Sequence, residues 1–256
     1  MIKLDNISFS YNDSELLFQD LNLQIEIGSS VCMVGPEGAG KSTLLKIIKG
    51  LIEPQAGSVR FDCFSPFLSH NIGYLGGDPD NSFVGITVQE EIVFGLENIG
   101  LSRSEIQERL DRALDLVELR GYENRLTYTL SGGEQQKLAL AAVLAMDLKI
   151  LLLDDALAMM DSLSRSKHWT WINGLRRRLG LTILFTTGKL EELNSANRIL
   201  FLEKNQHDFV FDGKTADFLS SRLADDWIEL ENGSEKFLRS LGKPFLIEKM
   251  KMLTTY

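Results

Sequence analysis

No stretch of the chain approaches the ~18 consecutive apolar residues that a membrane-spanning helix requires. The richest run, Leu138 to Met146, stops far short of that length. Positive charge is also scarce: 27 Lys and Arg stand against 36 Asp and Glu, a formal net charge of -9. Binding a phosphate backbone needs a concentrated basic surface, so no nucleic-acid partner is expected. The one basic run, Arg176 to Arg178, reads as the solvated last turn of a helix. Near Met1, Lys3 and Asp5 interrupt any apolar stretch of the kind a secretory signal carries. The expected location is therefore the cytosol or the inner face of a membrane. Cysteine is limited to Cys32 and Cys63, which fits a reducing compartment and excludes a disulfide framework. Histidine is limited to His70, His168 and His207.

What the chain does have is enough apolar material for a sizeable core, 44% hydrophobic residues over 256 positions. Short apolar runs alternate with longer helical patterns. Strands are expected at Lys3 to Phe9, Leu23 to Ile27, Ser30 to Val34, Ile72 to Leu75, Ile150 to Leu153, Thr182 to Thr186 and Arg198 to Leu202. Several are apolar on both faces, as strands of a parallel sheet covered by helices are. The earliest alternate instead, which suits an antiparallel edge sheet. From about Thr87 to Met146 the pattern turns helical throughout. Ser102 and Glu105 make a capping box ahead of one apolar face of Ile106, Leu110, Ala113, Leu114 and Val117. The expected organisation is an α/β domain over residues 1–216 with a helical lobe inserted at about 87–146. A small helical appendage follows over residues 217–256, carrying Trp227, Phe237, Leu238, Leu241 and Phe245.

The strongest local signal is GPEGAGKST at Gly35, Pro36, Glu37, Gly38, Ala39, Gly40, Lys41, Ser42 and Thr43. It follows an apolar strand and opens a helix, the context a phosphate-binding loop needs. Glycines let backbone N–H groups converge on phosphates, and the helix N-terminus adds positive potential. Lys41 is expected to reach the β and γ phosphates of a nucleotide, and Ser42 to hold Mg²⁺. Asp154, ending the apolar run Ile150 to Leu153, supplies the carboxylate that Mg²⁺ calls for.

A second motif, LSGGEQ at Leu130, Ser131, Gly132, Gly133, Glu134 and Gln135, makes the chain resemble the nucleotide-binding subunit of an ABC transporter. The resemblance covers nearly the whole chain. It implies an α/β P-loop NTPase core with an antiparallel edge sheet, ATP and Mg²⁺ as cofactors, and head-to-tail pairing of two ATPase subunits. In that pairing each ATP lies between one subunit's P-loop and the other's signature motif. Ser131 and the N–H groups of Gly132 and Gly133 would face the partner's γ-phosphate. Asp161 stands where the resemblance puts a subunit-contacting loop. Tyr11 stands where the family stacks a ring on adenine, worth roughly 1–3 kcal/mol; the other reading is an exposed strand tyrosine. Asp78 to Phe83 and FGLEN at Phe94 to Asn98 are similar to the energy-coupling-factor ATPases of vitamin and metal uptake. In that group this region receives the coupling helices of a membrane protein, or it is a loop and helix packing on the lobe.

The chain departs from the family at three places around its own nucleotide. Gly77 stands where a Gln is usual, Asp155 replaces the Glu that polarises water, and Gly188 replaces a histidine that senses the γ-phosphate. A carboxylate one methylene shorter is displaced on the order of 1 Å, which costs about 100-fold in rate if nothing compensates. The usual Pro and Gly after the two acids are also gone, replaced by Ala156 and by Met159 or Met160. These losses beside an intact P-loop and signature imply a weakly hydrolysing half of an ATPase heterodimer in an importer. Such a subunit would sit peripherally on the cytoplasmic face, beside a second ATPase and a transmembrane coupling protein, without touching the cargo. Two alternatives are a slow homodimer and a soluble ABC protein acting as a nucleotide-gated scaffold. A single P-loop excludes a tandem translation factor, and the interval from Thr43 to Leu130 is too short for the long coiled coil of a DNA-repair ATPase.

Overall fold

The computed structural model describes residues 1–11, 16–62, 71–76, 83–224 and 227. Strands β1 (Ile2–Ser10), β2 (Leu16–Ile25) and β4 (Ala56–Phe61) form an antiparallel sheet in the order β2-β1-β4. The larger sheet contains β3 (Ser30–Val34), β5 (Ile72–Gly76), β6 (Ile150–Asp154), β7 (Thr182–Thr186), β8 (Arg198–Leu202) and β9 (Phe209–Lys214). Its order is β5-β6-β7-β3-β8-β9, parallel except for β9.

The strands that are apolar on both faces serve two separate cores. Val31 and Met33, Ile150 and Leu152, and Leu184 point into one cluster, shared with the antiparallel sheet and helix α1 (Lys41–Lys49). Cys32 and Val34, Leu151 and Leu153, and Ile183 and Phe185 point into the other, shared with the remaining helices. Period-2 side-chain alternation makes this division unavoidable once both faces are covered.

Helices α2 (Val88–Asn98), α3 (Arg103–Val117) and α4 (Gly132–Leu144) occupy the 87–146 stretch, and their apolar residues share the second core. Ser102 and Glu105 do form the expected capping box. Helix α5 (Ser162–Leu179) joins β6 to β7, and the short α6 (Thr215–Leu219) follows β9. No helix among the described residues is long and apolar enough to cross a membrane.

Four expectations need correction. The stretch from Thr87 to Met146 is not helical throughout. Glu118 adopts the left-handed conformation and ends α3, and only one 3-10 turn, Thr127–Thr129, interrupts the path to α4. Strand β2 runs Leu16–Ile25 rather than Leu23 to Ile27. Irregular pairing with β1, with Asn6 and Asp20 at positive φ, breaks its alternation, and the turn closed by Ser29 N–H to the Glu26 carbonyl leaves Ile27 exposed. Strands β4 and β9 were not anticipated; both are edge strands with little burial and hence little apolar pattern. Arg176, expected in a solvated turn, donates instead to the Gly28 carbonyl. Cys63, Gly77, the 78–82 segment, and the appendage residues Phe237, Leu238, Leu241 and Phe245 lie outside the described residues.

Candidate functional site

The carboxyl ends of β3, β6 and β7 converge on one locality, where parallel α/β sheets place their ligands. From β3 the chain turns through Gly35, whose φ is +142° and whose absent side chain is essential. A Cβ there would lie 2.0 Å from the Leu202 carbonyl oxygen on β8. Gly40, at φ +101°, precedes α1, and a Cβ on it would meet the Phe18 ring at 2.7 Å. The two glycines thus let the loop wrap tightly between β8 and the antiparallel sheet. The Lys41 ammonium lies across this loop, donating to the carbonyls of Gly35 at 2.6 Å and Pro36 at 3.0 Å.

Ser42 in the first turn of α1 meets Asp154 at the end of β6: Ser42 Oγ donates to Asp154 Oδ1 at 2.8 Å. Thr186 Oγ1, from the residue paired with Asp154 across the β6–β7 ladder, donates to the same oxygen at 2.8 Å. Tyr74 on β5 donates to Asp154 Oδ2 at 2.8 Å, so both carboxylate oxygens are held. Burial, and then the carboxylate it faces, push the Tyr74 phenol well up from its ordinary range. An alcohol and a carboxylate meeting at the mouth of a phosphate loop are the hard oxygen donors that Mg²⁺ prefers. Among the described residues no group of three His, Cys, Asp or Glu could hold an ion alone. Ser42 and Asp154 would therefore share Mg²⁺ with phosphate oxygens.

Two open cavities flank Lys41. One, of about 440 Å³, is lined by Tyr11, Leu17, Glu37, Gly38, Gly40, Lys41, Ser42, Thr43 and Asp155. The Tyr11 ring stands edge-on to Phe9, and its hydroxyl lies 3.1 Å from Thr43 Oγ1. The other, of about 300 Å³, is bounded by Glu37, Lys41, Asp155, Ala158, Thr187, Gly188, Lys189 and Glu192. Asp155 borders both cavities. Its backbone is left-handed, at φ +49°, and its N–H donates to Thr186 Oγ1 at 2.9 Å. At the far wall, buried Glu192 faces buried Arg165 at 3.5 Å, and burial pushes the Glu192 carboxyl up from its ordinary 4.5.

The structure thus brings Tyr11, the P-loop, Asp154, Asp155 and Gly188 together around Lys41, with Pro36 and Ala39 shaping the loop through a 3.2 Å backbone bond. The signature residues lie elsewhere and line neither cavity. Leu130 is buried, and exposed Ser131 caps α4. The Ser131 N–H and hydroxyl both donate to Glu134 Oε2 at 2.8 Å, which holds that carboxyl below its usual range. Gly132 and Gly133 open the helix and Gln135 N–H reaches back to the Ser131 carbonyl at 2.8 Å. Gln136 donates to the Ala156 carbonyl, tying the signature helix to the segment after Asp155. Asp161 caps α5, accepting from the N–H groups of Leu163 and Ser164. Sequence reasoning missed Thr186, Tyr74, Arg165 and Glu192 as members of the site's surroundings. Their relevance comes from register and packing, and no motif announced it.

Comparison with known proteins follows the same lines. A family profile described as ABC transporter matches residues 18–158. The energy-coupling factor transporter ATP-binding protein EcfA1 of Leuconostoc mesenteroides subsp. mesenteroides is 38% identical over 255 residues, spanning 95% of this chain and 92% of the relative. The protein of that name from Fusobacterium nucleatum subsp. nucleatum is 35% identical over 213 residues, 80% of each chain. Among solved structures, cbiO1 from Clostridium perfringens, described as part of the ABC transporter complex cbiONQ, has a TM-score of 0.78 at 25% identity. That likeness covers 90% of this chain and 94% of the other. The dimeric bacterial ABC transporter cassette MJ0796 gives a TM-score of 0.70 at 27% identity, covering 84% and 99%. The expected P-loop ABC ATPase fold is thereby borne out.

Proposed function

The chain belongs to the ABC transporter family, and from that premise we propose that it is the weakly hydrolysing half of an ATPase heterodimer in an energy-coupling-factor importer. Its place would be the cytoplasmic face of the membrane, peripheral, against a transmembrane coupling protein. Relatives named as energy-coupling factor ATP-binding proteins, and a structural neighbour described as part of a transporter complex, support the importer. The observation that carries the asymmetry is the contrast within one site. Lys41, Ser42 and Asp154 are already in mutual position, whereas the cavity beyond Lys41 offers Asp155 and the bare backbone of Gly188.

In this reading Lys41 leaves the Gly35 and Pro36 carbonyls to take β- and γ-phosphate oxygens, and the P-loop N–H groups hold the rest. Ser42 and Asp154 would hold Mg²⁺, which would supply charge neutralisation on those oxygens. Tyr11 lines the larger cavity and would stack on the base. Asp155 must stretch to polarise an attacking water, and position 188 contributes no side chain to the γ-phosphate, so hydrolysis is slow. Ser131 serves the partner's nucleotide instead, which requires its hydroxyl to exchange Glu134 for a phosphate oxygen. Asp161 lies toward the same partner. Residues 1–216 would form the ATPase unit, with the lobe at about 87–146 inserted and residues 217–256 appended.

The test uses the reconstituted two-ATPase complex, with assembly of each variant checked first. Ser131→Arg abolishes ATPase activity, because a bulky cation blocks the close approach of the partner's γ-phosphate. Asp155→Asn leaves most of it, and the purified chain alone binds Mg-ATP with turnover far below the ~10 s⁻¹ typical of enzymes. If Asp155→Asn proves as damaging as Ser131→Arg, this chain's own carboxylate is catalytic. The slow homodimer, or a pair of active sites, then replaces the asymmetric reading.

A further inference from the structure

We infer that Tyr74 is a positioning residue for the metal carboxylate, holding Asp154 by one oxygen so that the other is presented to Mg²⁺ at the P-loop. The inference rests on the reading of Ser42 and Asp154 as the Mg²⁺ ligands.

The geometry begins in the β5–β6 ladder. Gly76 pairs with Asp154 and Tyr74 with Leu152, so Tyr74 lies two residues back on the same face of the sheet. Gly76 brings no side chain to the place opposite the carboxylate. The phenol of Tyr74 packs its ring against the core shared with α1 and brings its hydroxyl to 2.8 Å from Asp154 Oδ2. Oδ1 faces the other way, toward Ser42 and Thr186.

The division of labour between the two oxygens has a consequence for metal binding. When Ser42 Oγ turns from Asp154 to the ion, Oδ1 loses one of its two donors and its lone pair becomes available on that side. Thr186 alone, bonded to the same Oδ1, does not fix rotation of the carboxylate about Cβ–Cγ. A second anchor on Oδ2 does. Groups that orient a metal ligand from behind typically account for about 10–100-fold in metal affinity. Tyr74 belongs to edge strand β5, so it also ties the position of that edge to the metal ligand.

The experiment titrates Mg²⁺ into the full chain saturated with ATP, by calorimetry, for wild type and Tyr74→Phe, and separately measures ATP affinity in EDTA. Thermal unfolding in metal-free buffer serves as the check on folding. Tyr74→Phe keeps the ring and removes only the hydroxyl. It is expected to raise the half-saturating Mg²⁺ concentration about tenfold, with ATP affinity in EDTA unchanged. A second variant, Tyr74→His, offers a shorter donor and should recover none of the Mg²⁺ affinity, because its ring falls short of Oδ2. Wild-type Mg²⁺ dependence in Tyr74→Phe overturns the inference. So does an equal loss of ATP affinity with and without metal, which would mark Tyr74 as merely structural. If wild type itself gains nothing from Mg²⁺, the assignment of Ser42 and Asp154 falls first and the inference with it.

Discussion

Replacing Thr186 by valine would change one hydroxyl for a methyl of nearly the same volume, in a residue that is only 2% exposed. That hydroxyl does two things at once. It donates to Asp154 Oδ1 at 2.8 Å and accepts the Asp155 N–H at 2.9 Å, so it joins the two acids of the site through a neighbouring strand. Losing a hydrogen bond to a charged acceptor costs about 1.5–3 kcal/mol. Asp154 keeps Ser42 and Tyr74 as donors and is not stranded. The Asp155 N–H loses its partner at an exposed residue where water can substitute, so its share lies near the low end, about 1 kcal/mol. Thr186→Val should therefore lower unfolding free energy by about 2.5–4 kcal/mol, measured by urea denaturation of the metal-free chain. Thr186→Ser keeps the hydroxyl and gives up one buried methyl, about 1 kcal/mol. A valine variant within about 0.5 kcal/mol of wild type, or a serine variant as unstable as valine, would refute the bridging role of this hydroxyl.

Two more changes test other parts of the site. Gly35→Ala must displace the β8 backbone, because its Cβ would stand 2.0 Å from the Leu202 carbonyl oxygen, whereas a Cβ on Gly38, at φ +80°, meets nothing within 4 Å. Denaturant unfolding should show Gly35→Ala losing about 3 kcal/mol or more and Gly38→Ala only about 1–2 kcal/mol; equal losses would remove the close approach as the reason for glycine at position 35. Burial raises the Glu192 carboxyl above its ordinary 4.5, against the opposing pull of the Thr187 hydroxyl and then of Trp169 and Arg165 from α5, with Glu191 and Cys32 also close by. The folded state thus binds this proton more tightly than the unfolded one, so the contribution is fully present below the ordinary value and is lost as pH rises through the raised one. Unfolding free energies of wild type and Glu192→Gln, compared between about pH 4 and pH 8, should show wild type losing ground to the glutamine variant as pH rises, and a difference that stays flat would contradict the shift.

The nucleotide loop was legible in the sequence because its chemistry is local. Gly35 to Ser42 lie on consecutive backbone, so fixed spacing is enough to place N–H groups, a lysine and a hydroxyl around one phosphate. The capping box at Ser102 was legible for the same reason, since a residue and its third successor meet whenever a helix begins. Strands β3, β6, β7 and β8 announced themselves because burial on both faces leaves an unbroken apolar run. The exposed edge strands β4 and β9 left no such mark.

Tertiary structure decided what surrounds the carboxylate. Asp154, Tyr74 and Thr186 come from three strands that are adjacent only after the sheet has taken the order β5-β6-β7. Which hydroxyl faces which oxygen depends on a register set by long-range pairing. The buried pairing of Glu192 with Arg165, and the placing of Asp155 between two cavities, are likewise contacts between segments far apart in the chain. A linear sequence fixes chemistry within a turn or two. Groups brought together by strand pairing carry no spacing rule, and only the packed sheet reveals them.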